Sequence, residues 1–305
     1  MKYAIGIDMG GTKIEGAIID ANGKFITSRR TATEPQKGKK QVISNLVSVI
    51  RDLKDEAKLQ GTQVDGVGVS LPGLIDDTGL IIWGGGTLTC LNGLHLSKEL
   101  EKAAGLKADA MNDAKCFALA EATFGAARKK KISIGVIWGT GIGGGIIINR
   151  RVYSGAIGGA GEFGHMVIDP TITKGVVCGC GQRGCLEMLA SGKNITRRYF
   201  QLGGKIRNAG VKEIYASKEK AAKQAINDAI HYLGIGLSTL VMVLNPEIIV
   251  LGGGVSKLPD PVYKRLERET KKYALPMLTR NLKIVRHEIS DSAGMLGAAA
   301  LVFNS

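Results

Sequence analysis

The chain has no uninterrupted apolar run of about eighteen residues, the length that a bilayer-spanning helix needs, so its sequence points away from a membrane protein. Met1-Lys2 leads directly into a strand-like segment, without the apolar stretch and small-residue cleavage site of a secretory leader, and a cytoplasmic protein is expected. Five cysteines are too few and too unevenly spread for a disulfide framework, since three crowd into residues 178–185. Cys90 and Cys116 stand alone and read as small buried hydrophobes. No low-complexity or linker-like stretch divides the chain. Two familiar phosphate-binding patterns are also missing. Gly10-Gly11-Thr12-Lys13 lacks the Walker spacing, and GTGIGG at Gly139, though it has the dinucleotide spacing, leads into the strand-like Ile146-Ile147-Ile148 rather than a helix.

With 305 residues the chain can form one large domain or two moderate ones. The net charge of +14 would suit a nucleic-acid binder. Its only dense basic run, Arg128-Lys129-Lys130-Lys131, lies between an alanine-rich helix and a strand, where it reads as a solvated loop. A small anionic partner such as ATP fits that charge as well, and no nucleic-acid partner is expected.

The most informative feature is a repeat. IGIDMGGTKIEGAII at Ile5 and IGVIWGTGIGGGIII at Ile134 match at Ile5/Ile134, Gly6/Gly135, Gly10/Gly139, Gly16/Gly145, Ile18/Ile147 and Ile19/Ile148. A chance echo between two glycine-rich hairpins competes with the sharper reading, a duplicated β-meander. Strands are expected at Tyr3–Asp8, Ile14–Asp20 and Phe25–Arg29, and again at Ile132–Trp138, Gly144–Asn149 and Arg151–Tyr153. Apolar residues at Ile43, Leu46, Val47, Ile50, Leu53 and Ala57 predict an amphipathic helix, with a buried strand following at Val64–Ser70. Further helices are expected at Ala221–Leu244 and Ser292–Phe303, and Glu247–Leu251 reads as a strand leading into Gly252-Gly253-Gly254. Two domains on this plan should open a cleft between them.

Hairpin turns made of glycine and threonine can wrap a phosphate chain, because absent side chains let backbone N–H groups approach an anion and threonine hydroxyls add donors. Glycines serving only tight turns are the alternative at each loop. Asp8 precedes the first loop and has no acidic counterpart at Ile137, and a single carboxylate beside polyphosphate suits Mg2+. Cys178, Cys180 and Cys185 offer three thiolates within eight residues, and His165 upstream could complete a four-coordinate structural zinc site. Asp113, at the mouth of a helix, would by itself read as a helix cap.

DMGGTK at Asp8–Lys13, MNDAKCFALAE at Met111–Glu121, GTGIGGG at Gly139–Gly145, GEFGH at Gly161–His165, CGCGQRGCLE at Cys178–Glu187 and LGGG at Leu251–Gly254 together resemble the ROK family, in the family's order and over nearly the whole chain. That resemblance implies an α/β protein with the duplicated actin/hexokinase (ribonuclease H-like) fold, two domains around an interdomain cleft. It places one domain at residues 1–113 plus 292–305 and the other, with the zinc-binding segment, at residues 114–291. It also implies ATP-dependent phosphorylation of a hexose at the 6-hydroxyl, with Asp113 as general base. Sugar contacts would come from Gly73, Asn112, Asp113, Glu162, His165 and Glu187. ATP and Mg2+ would be held by Asp8, Gly10, Gly11, Thr12, Lys13, Gly139, Thr140, Gly141, Gly143, Gly253 and Gly254. One ring nitrogen of His165 would meet Zn2+ and the other would face the sugar, with Cys178, Cys180 and Cys185 completing the metal set. The preferred reading is a glucokinase or broad hexokinase, with an N-acetylglucosamine, N-acetylmannosamine or fructose kinase as alternatives within the family. The loop WGGGTLTCLN at Trp83–Asn92 is expected to discriminate among these sugars. A sugar-sensing repressor of the same family is disfavoured, because the chain reaches Asp8 with no room for a helix-turn-helix and keeps Asp113. A catalytically dead module would be expected to have lost Asp8, Asp113 or the glycines. The resemblance makes a homodimer or homotetramer the expected assembly, with hexose and ATP as the small-molecule partners.

Overall fold

The structure, a computed structural model, describes residues 2–289 and 292–304. Met1, Asp291 and Ser305, which bound the expected domains, lie outside the described residues. The chain divides into two compact units, Met1–Lys129 with Gly145–Ala160 and Glu288–Ser305, and Lys130–Gly144 with Gly161–His287. The sequence division at 113/114 had assigned residues 114–129 and 145–160 to the second domain, but they group with the first. The helix Asp113–Thr123 packs along the C-terminal helix Ala293–Phe303, which holds that stretch in the first unit.

In the first unit, strands β1 (Tyr3–Met9), β2 (Lys13–Asp20) and β3 (Phe25–Ala32) form an antiparallel meander. Between β2 and β3, the Asp20 carboxylate accepts the amides of Asn22 (2.8 Å) and Lys24 (2.9 Å), and Gly23 takes a φ of 83° that a side chain would resist. Strand β4 (Val67–Leu71) runs parallel to β1 and is buried throughout. Strands β5 (Gly73–Ile75) and β6 (Ile81–Gly84) form a separate small ribbon, and β7 (Ala108–Asn112) pairs parallel to β4. The sheet order is β3-β2-β1-β4-β7.

Helix α1 (Lys39–Leu59) buries Val42, Leu46, Val49, Ile50, Leu53 and Ala57, a stripe at three- and four-residue spacing that covers β2 and β3. The first unit also contains α2 (Leu96–Ala104) and α3 (Asp113–Thr123). On β1, Ile7 faces Val49 and Leu53 of α1 across Gly16, so its neighbour Gly6 points to the other face. There the chain's last helix, Ala293–Phe303, lies so close that a Cβ on Gly6 or on Gly68 would collide with its backbone at Met295 or Ala298. That helix is apolar all round, as befits an element covered by β1, β4 and α3.

The second sheet contains β8 (Ile132–Trp138), β9 (Ile142–Ile148), β10 (Arg151–Tyr153), β11 (Ile248–Gly252) and β12 (Lys283–Arg286), in the order β10-β9-β8-β11-β12. Strand β10 is antiparallel to β9, whereas β11 is parallel to both β8 and β12. Strand for strand this is the order of the first sheet, and β9 crosses from one unit into the other at residues 144/145. The duplicated meander read from the repeat is therefore present, each copy extended by two parallel strands.

The helices of the second unit are α4 (Leu186–Ala190), α5 (Gly192–Gln201), α6 (Val211–Ala216), α7 (Lys220–Leu244), α8 (Asp260–Tyr273) and α9 (Pro276–Thr279), and α10 is the closing helix Ala293–Phe303 of the first unit. Helix α7 ends where Asn245 adopts a left-handed φ of 44° and donates its amide to the Val241 carbonyl (2.9 Å), with Pro246 next in the chain. Among the described residues it is the one helix long and apolar enough to cross a membrane by length and composition, although 56% of that stretch is buried inside the protein. It is packed by α4, α5, α6 and α8, and Lys223, Asn227, Asp228 and His231 interrupt its apolar sequence.

Candidate active site in two halves

In the first unit, pairing of Met9 with Ile14 leaves Gly10, Gly11 and Thr12 at a hairpin tip closed by the Gly10 amide on the Lys13 carbonyl (2.9 Å). Buried Thr33 fastens the tip: its hydroxyl donates to the Gly10 carbonyl (2.6 Å) and its amide to the Thr12 carbonyl (3.0 Å). A Cβ built on Gly10 would find its nearest neighbour 3.8 Å away, so that backbone is open to approach, as a phosphate cradle requires. The Lys13 ammonium rests on the Glu15 carboxylate at 2.5 Å in an exposed pair, an interaction weak enough to yield to another anion.

Asp8 is the penultimate residue of β1 and is half-buried, with one carboxylate oxygen accepting the Ser70 hydroxyl at 3.2 Å. Gly294 leaves the space that the carboxyl occupies, since a Cβ there would lie 2.5 Å from Asp8 Cγ. Burial raises the Asp8 pKa, the Ser70 hydroxyl opposes it, and the charge of Asp113 raises it further. Within the first unit, Asp113 is thus near enough for its charge to act on Asp8. A half-buried carboxylate next to a glycine turn suits a divalent cation, so Asp8 fits Mg2+.

The cap role that Asp113 would have by position is carried mainly by Asn112. Its side-chain oxygen accepts the amides of Ala114 (2.9 Å) and Lys115 (3.2 Å), and its amide group donates to the Gly73 carbonyl at 2.9 Å. Asn112 therefore joins the β7–α3 junction to the Gly73 loop, where a φ of 131° and the nearby Trp83 carbonyl leave no room for a side chain. Asp113 accepts the Ala114 amide at 2.8 Å, and burial raises its pKa against the opposing effect of that bond. A carboxylate raised by burial has the profile of a proton acceptor.

In the second unit, the β8–β9 turn closes with the Gly139 amide on the Gly141 carbonyl (3.0 Å), and Thr140 is exposed at its tip. The Gly139 carbonyl accepts the Gly192 amide at 2.8 Å. A Cβ on Gly139 would lie 3.7 Å from the Gly254 nitrogen and 3.8 Å from Gly253 Cα, so the hairpin and the triple-glycine turn after β11 meet. Nothing lies within 4 Å of a Cβ built on Gly254, another backbone open to a ligand. The Glu187 carboxylate accepts the Ile142 amide at 2.9 Å, which ties the glutamate to this hairpin through one oxygen. Gly143 lies one residue beyond, within β9.

Beside these residues, His165 divides its two ring nitrogens. Nδ1 lies 3.3 Å from Cys178 Sγ and Nε2 lies 3.8 Å from a carboxylate oxygen of exposed Glu162. The ligand atoms of His165, Cys178 and Cys180 lie within 4.8 Å of one another, and Cys185 Sγ is 3.6 Å from Cys180 Sγ. Burial raises the Cys178 thiol, and burial with its two thiol neighbours lifts Cys185 to about 12, whereas a backbone hydrogen bond at Gln182 lowers Cys180. Three thiols packed this closely ionise together only with a cation among them, so the donor set fits zinc.

Several residues that hold the site were not read from sequence. Ser70 reaches Asp8 because β4 pairs with β1 across 62 positions, and Thr33 reaches the first loop from the end of β3. Lys115, only 1% exposed, donates its ammonium to the Gly158 carbonyl and pins the loop at Ser154–Ala160. Buried Glu121 accepts the amides of Ala126 (2.9 Å) and Ile289 (2.7 Å), so the last residue of MNDAKCFALAE joins chain segments rather than ligands. A buried charge inside an otherwise apolar helix was the one signal for these last two.

The ROK family profile matches residues 4–305, and the chain belongs to the ROK family. Among curated relatives, a protein named Glucokinase from Thermotoga maritima is 30% identical over 314 residues, covering 98% of this chain and 96% of its own. A protein named N-acetyl-D-glucosamine kinase from Photobacterium profundum is 31% identical over 305 residues, covering 97% of this chain and 98% of its own. Among solved structures, the ROK hexokinase from Thermus thermophilus superposes with a TM-score of 0.85 at 30% identity, covering 99% of this chain and 98% of that one. The duplicated sheets described above are those of the actin/hexokinase-type fold.

Proposed function

We propose that this chain is an ATP-dependent sugar kinase that phosphorylates a hexose at its 6-hydroxyl, with glucose or a close relative as acceptor. The observation that carries the proposal is Asp113, raised by burial and electrostatically coupled to Asp8 within one unit. Asp113 takes the proton of the attacking hydroxyl, and its raised pKa brings it closer to the value a base working near neutrality needs. Bound Mg-ATP supplies the phosphoryl group. The chain's own part is positioning and charge neutralisation. Asp8 holds the cation, directly or through water. The amides and hydroxyl of Gly10–Lys13 and the loop of Gly139, Thr140, Gly141 and Gly143 hold phosphates, with Gly253 and Gly254 toward the nucleoside.

Sugar recognition falls to Asn112, the Gly73 backbone, Glu162, His165 and Glu187. Glu187 spends one oxygen on the Ile142 amide, and its other oxygen has no hydrogen-bond partner among the described residues. Zn2+ held by His165, Cys178, Cys180 and Cys185 fixes the tautomer and orientation of the imidazole, so that Nε2 faces Glu162 and the sugar. We place the enzyme in the cytoplasm as a homodimer or homotetramer, without nucleic-acid or membrane partners. The Photobacterium profundum relative keeps a second acceptor class in view, the N-acetylhexosamines. ADP release measured over glucose, mannose, fructose, N-acetylglucosamine and N-acetylmannosamine decides between them. Turnover is expected on glucose above all, turnover confined to the acetylated sugars moves the acceptor, and none on any sugar refutes the kinase.

A further inference from the structure

A cavity of about 350 Å3 opens on the second unit, and none of its lining residues is assigned above to sugar, phosphate or metal. Its apolar lining includes Ile172, Met188 and Leu189, with exposed Val176 at the cysteine loop. Its charged lining consists of Lys174, Arg197 and Arg198 with a single acid, Asp228. That acid is already engaged, accepting Arg198 Nε at 2.8 Å and the Gln224 amide at 2.6 Å. Arg197 is different. It is half-buried, its guanidinium donates to the Met188 carbonyl at 2.8 Å, and no carboxylate pairs with it among the described residues. Burial lowers its pKa. A guanidinium has five donors in a planar fork suited to an oxyanion, and one of them is visibly used here.

We propose that this cavity is a binding site for a small organic oxyanion, a phosphate monoester or a carboxylate carried on an apolar body, seated with its charge on Arg197 and Lys174 and its body on Met188 and Leu189. Both headgroups can offer two oxygens to the guanidinium fork, and the apolar lining residues ask for more than an inorganic ion. Because Met188 follows Glu187 directly, the occupant would sit one residue from the sugar site.

Isothermal titration of the full-length protein with phenyl phosphate, phenylacetate and inorganic phosphate tests this. At least one of the two organic anions should bind at least tenfold more tightly than inorganic phosphate, and which of them wins identifies the headgroup. R197M, which keeps the stem and removes the fork, should weaken that binding at least tenfold while leaving kinase turnover and the melting temperature near wild type. K174M, on an exposed segment, should weaken it about threefold and serves as the readout should R197M fail to fold. No organic anion binding, or binding unchanged in these variants, as for a probe seated on the glycine hairpins, overturns the proposal.

Discussion

At the end of β1 the chain places Asp8, whereas the matching position at the end of β8 is Ile137, and the two hairpins that follow are fastened by different means. The first is held by Thr33 from the neighbouring strand, and the second by Glu187 and Gly192 from the start of the helical region. At the far side of each sheet, β7 runs into Asn112-Asp113 and β12 into His287. The strand order is common to both halves, but Asp8 and Asp113 lie in the first, and Glu162, Glu187, His165 and the three clustered cysteines lie in the second. Duplication thus preserves what depends on backbone pairing and leaves the side chains at strand ends free to diverge, because those residues carry little of the sheet's stability.

The largest effect that would test this division comes from Asp113→Asn. Turnover should fall by about 10²–10⁴-fold, with sugar affinity by calorimetry within about threefold of wild type. Retained turnover would remove the base from the first half. The raised pKa of Asp113 also sets the sign of two pH effects. Its folded-state pKa lies above its ordinary value of 3.8, so the folded protein holds the proton more tightly than the unfolded chain. This group's stabilising contribution is present below 3.8 and is lost as pH rises through the folded value, which leaves a net penalty at neutrality. Asp113→Asn should therefore melt higher than wild type at pH 7, with the gap closing in acid. The kcat/KM of the native enzyme should fall on the acid side with an apparent pKa above 3.8.

Next in size, the double substitution of Cys178 and Cys180 by Ser should abolish zinc binding by elemental analysis and lower the melting temperature by several degrees. Wild-type protein that takes up no zinc when supplied with it would leave the second half without its metal. Asp8→Ala should raise the KM for Mg-ATP about tenfold and spare sugar binding, whereas Ile137→Val should leave that KM within about twofold. Equal effects from the two would erase the asymmetry between the strand ends.

The smallest effects concern the turns. Gly141→Ala puts a Cβ 2.5 Å from the Glu187 carboxylate, and it should lower stability by about 1–3 kcal/mol and raise the KM for sugar several-fold. Gly10→Ala meets nothing closer than 3.8 Å, so it should leave stability within about 0.5 kcal/mol and act only on the KM for ATP. Indistinguishable unfolding curves for the two variants would contradict the different anchoring of the hairpins.

Much of the plan was legible in the residues. The repeat at Ile5 and Ile134 announced two copies of one meander, and the strands and long helices fall within a few residues of their expected bounds. The site motifs were legible because their chemistry is local in sequence: glycines in a tight turn, three thiols within eight residues, an Asn-Asp pair between strand and helix. The contacts between distant segments were not legible. Ser70 beside Asp8, Asn112 beside Gly73 and Glu187 beside Ile142 are separated by 62, 39 and 45 positions, and no local pattern reports such distances. The grouping of residues 114–129 with the first unit was not legible for the same reason, since the packing of α3 on α10 joins segments far apart in the chain.

The sequence by itself determined the duplicated meander, the glycine turns, the cysteine cluster and the family, because hydrophobic period, turn chemistry and ligand spacing act over a few residues. Only the tertiary structure decided that Asp8 and Asp113 are lifted by burial, that Asn112 rather than Asp113 chiefly caps its helix, and that Glu187 is tied to a hairpin. Those outcomes depend on desolvation and on hydrogen bonds between distant segments, and both exist only once the chain has packed.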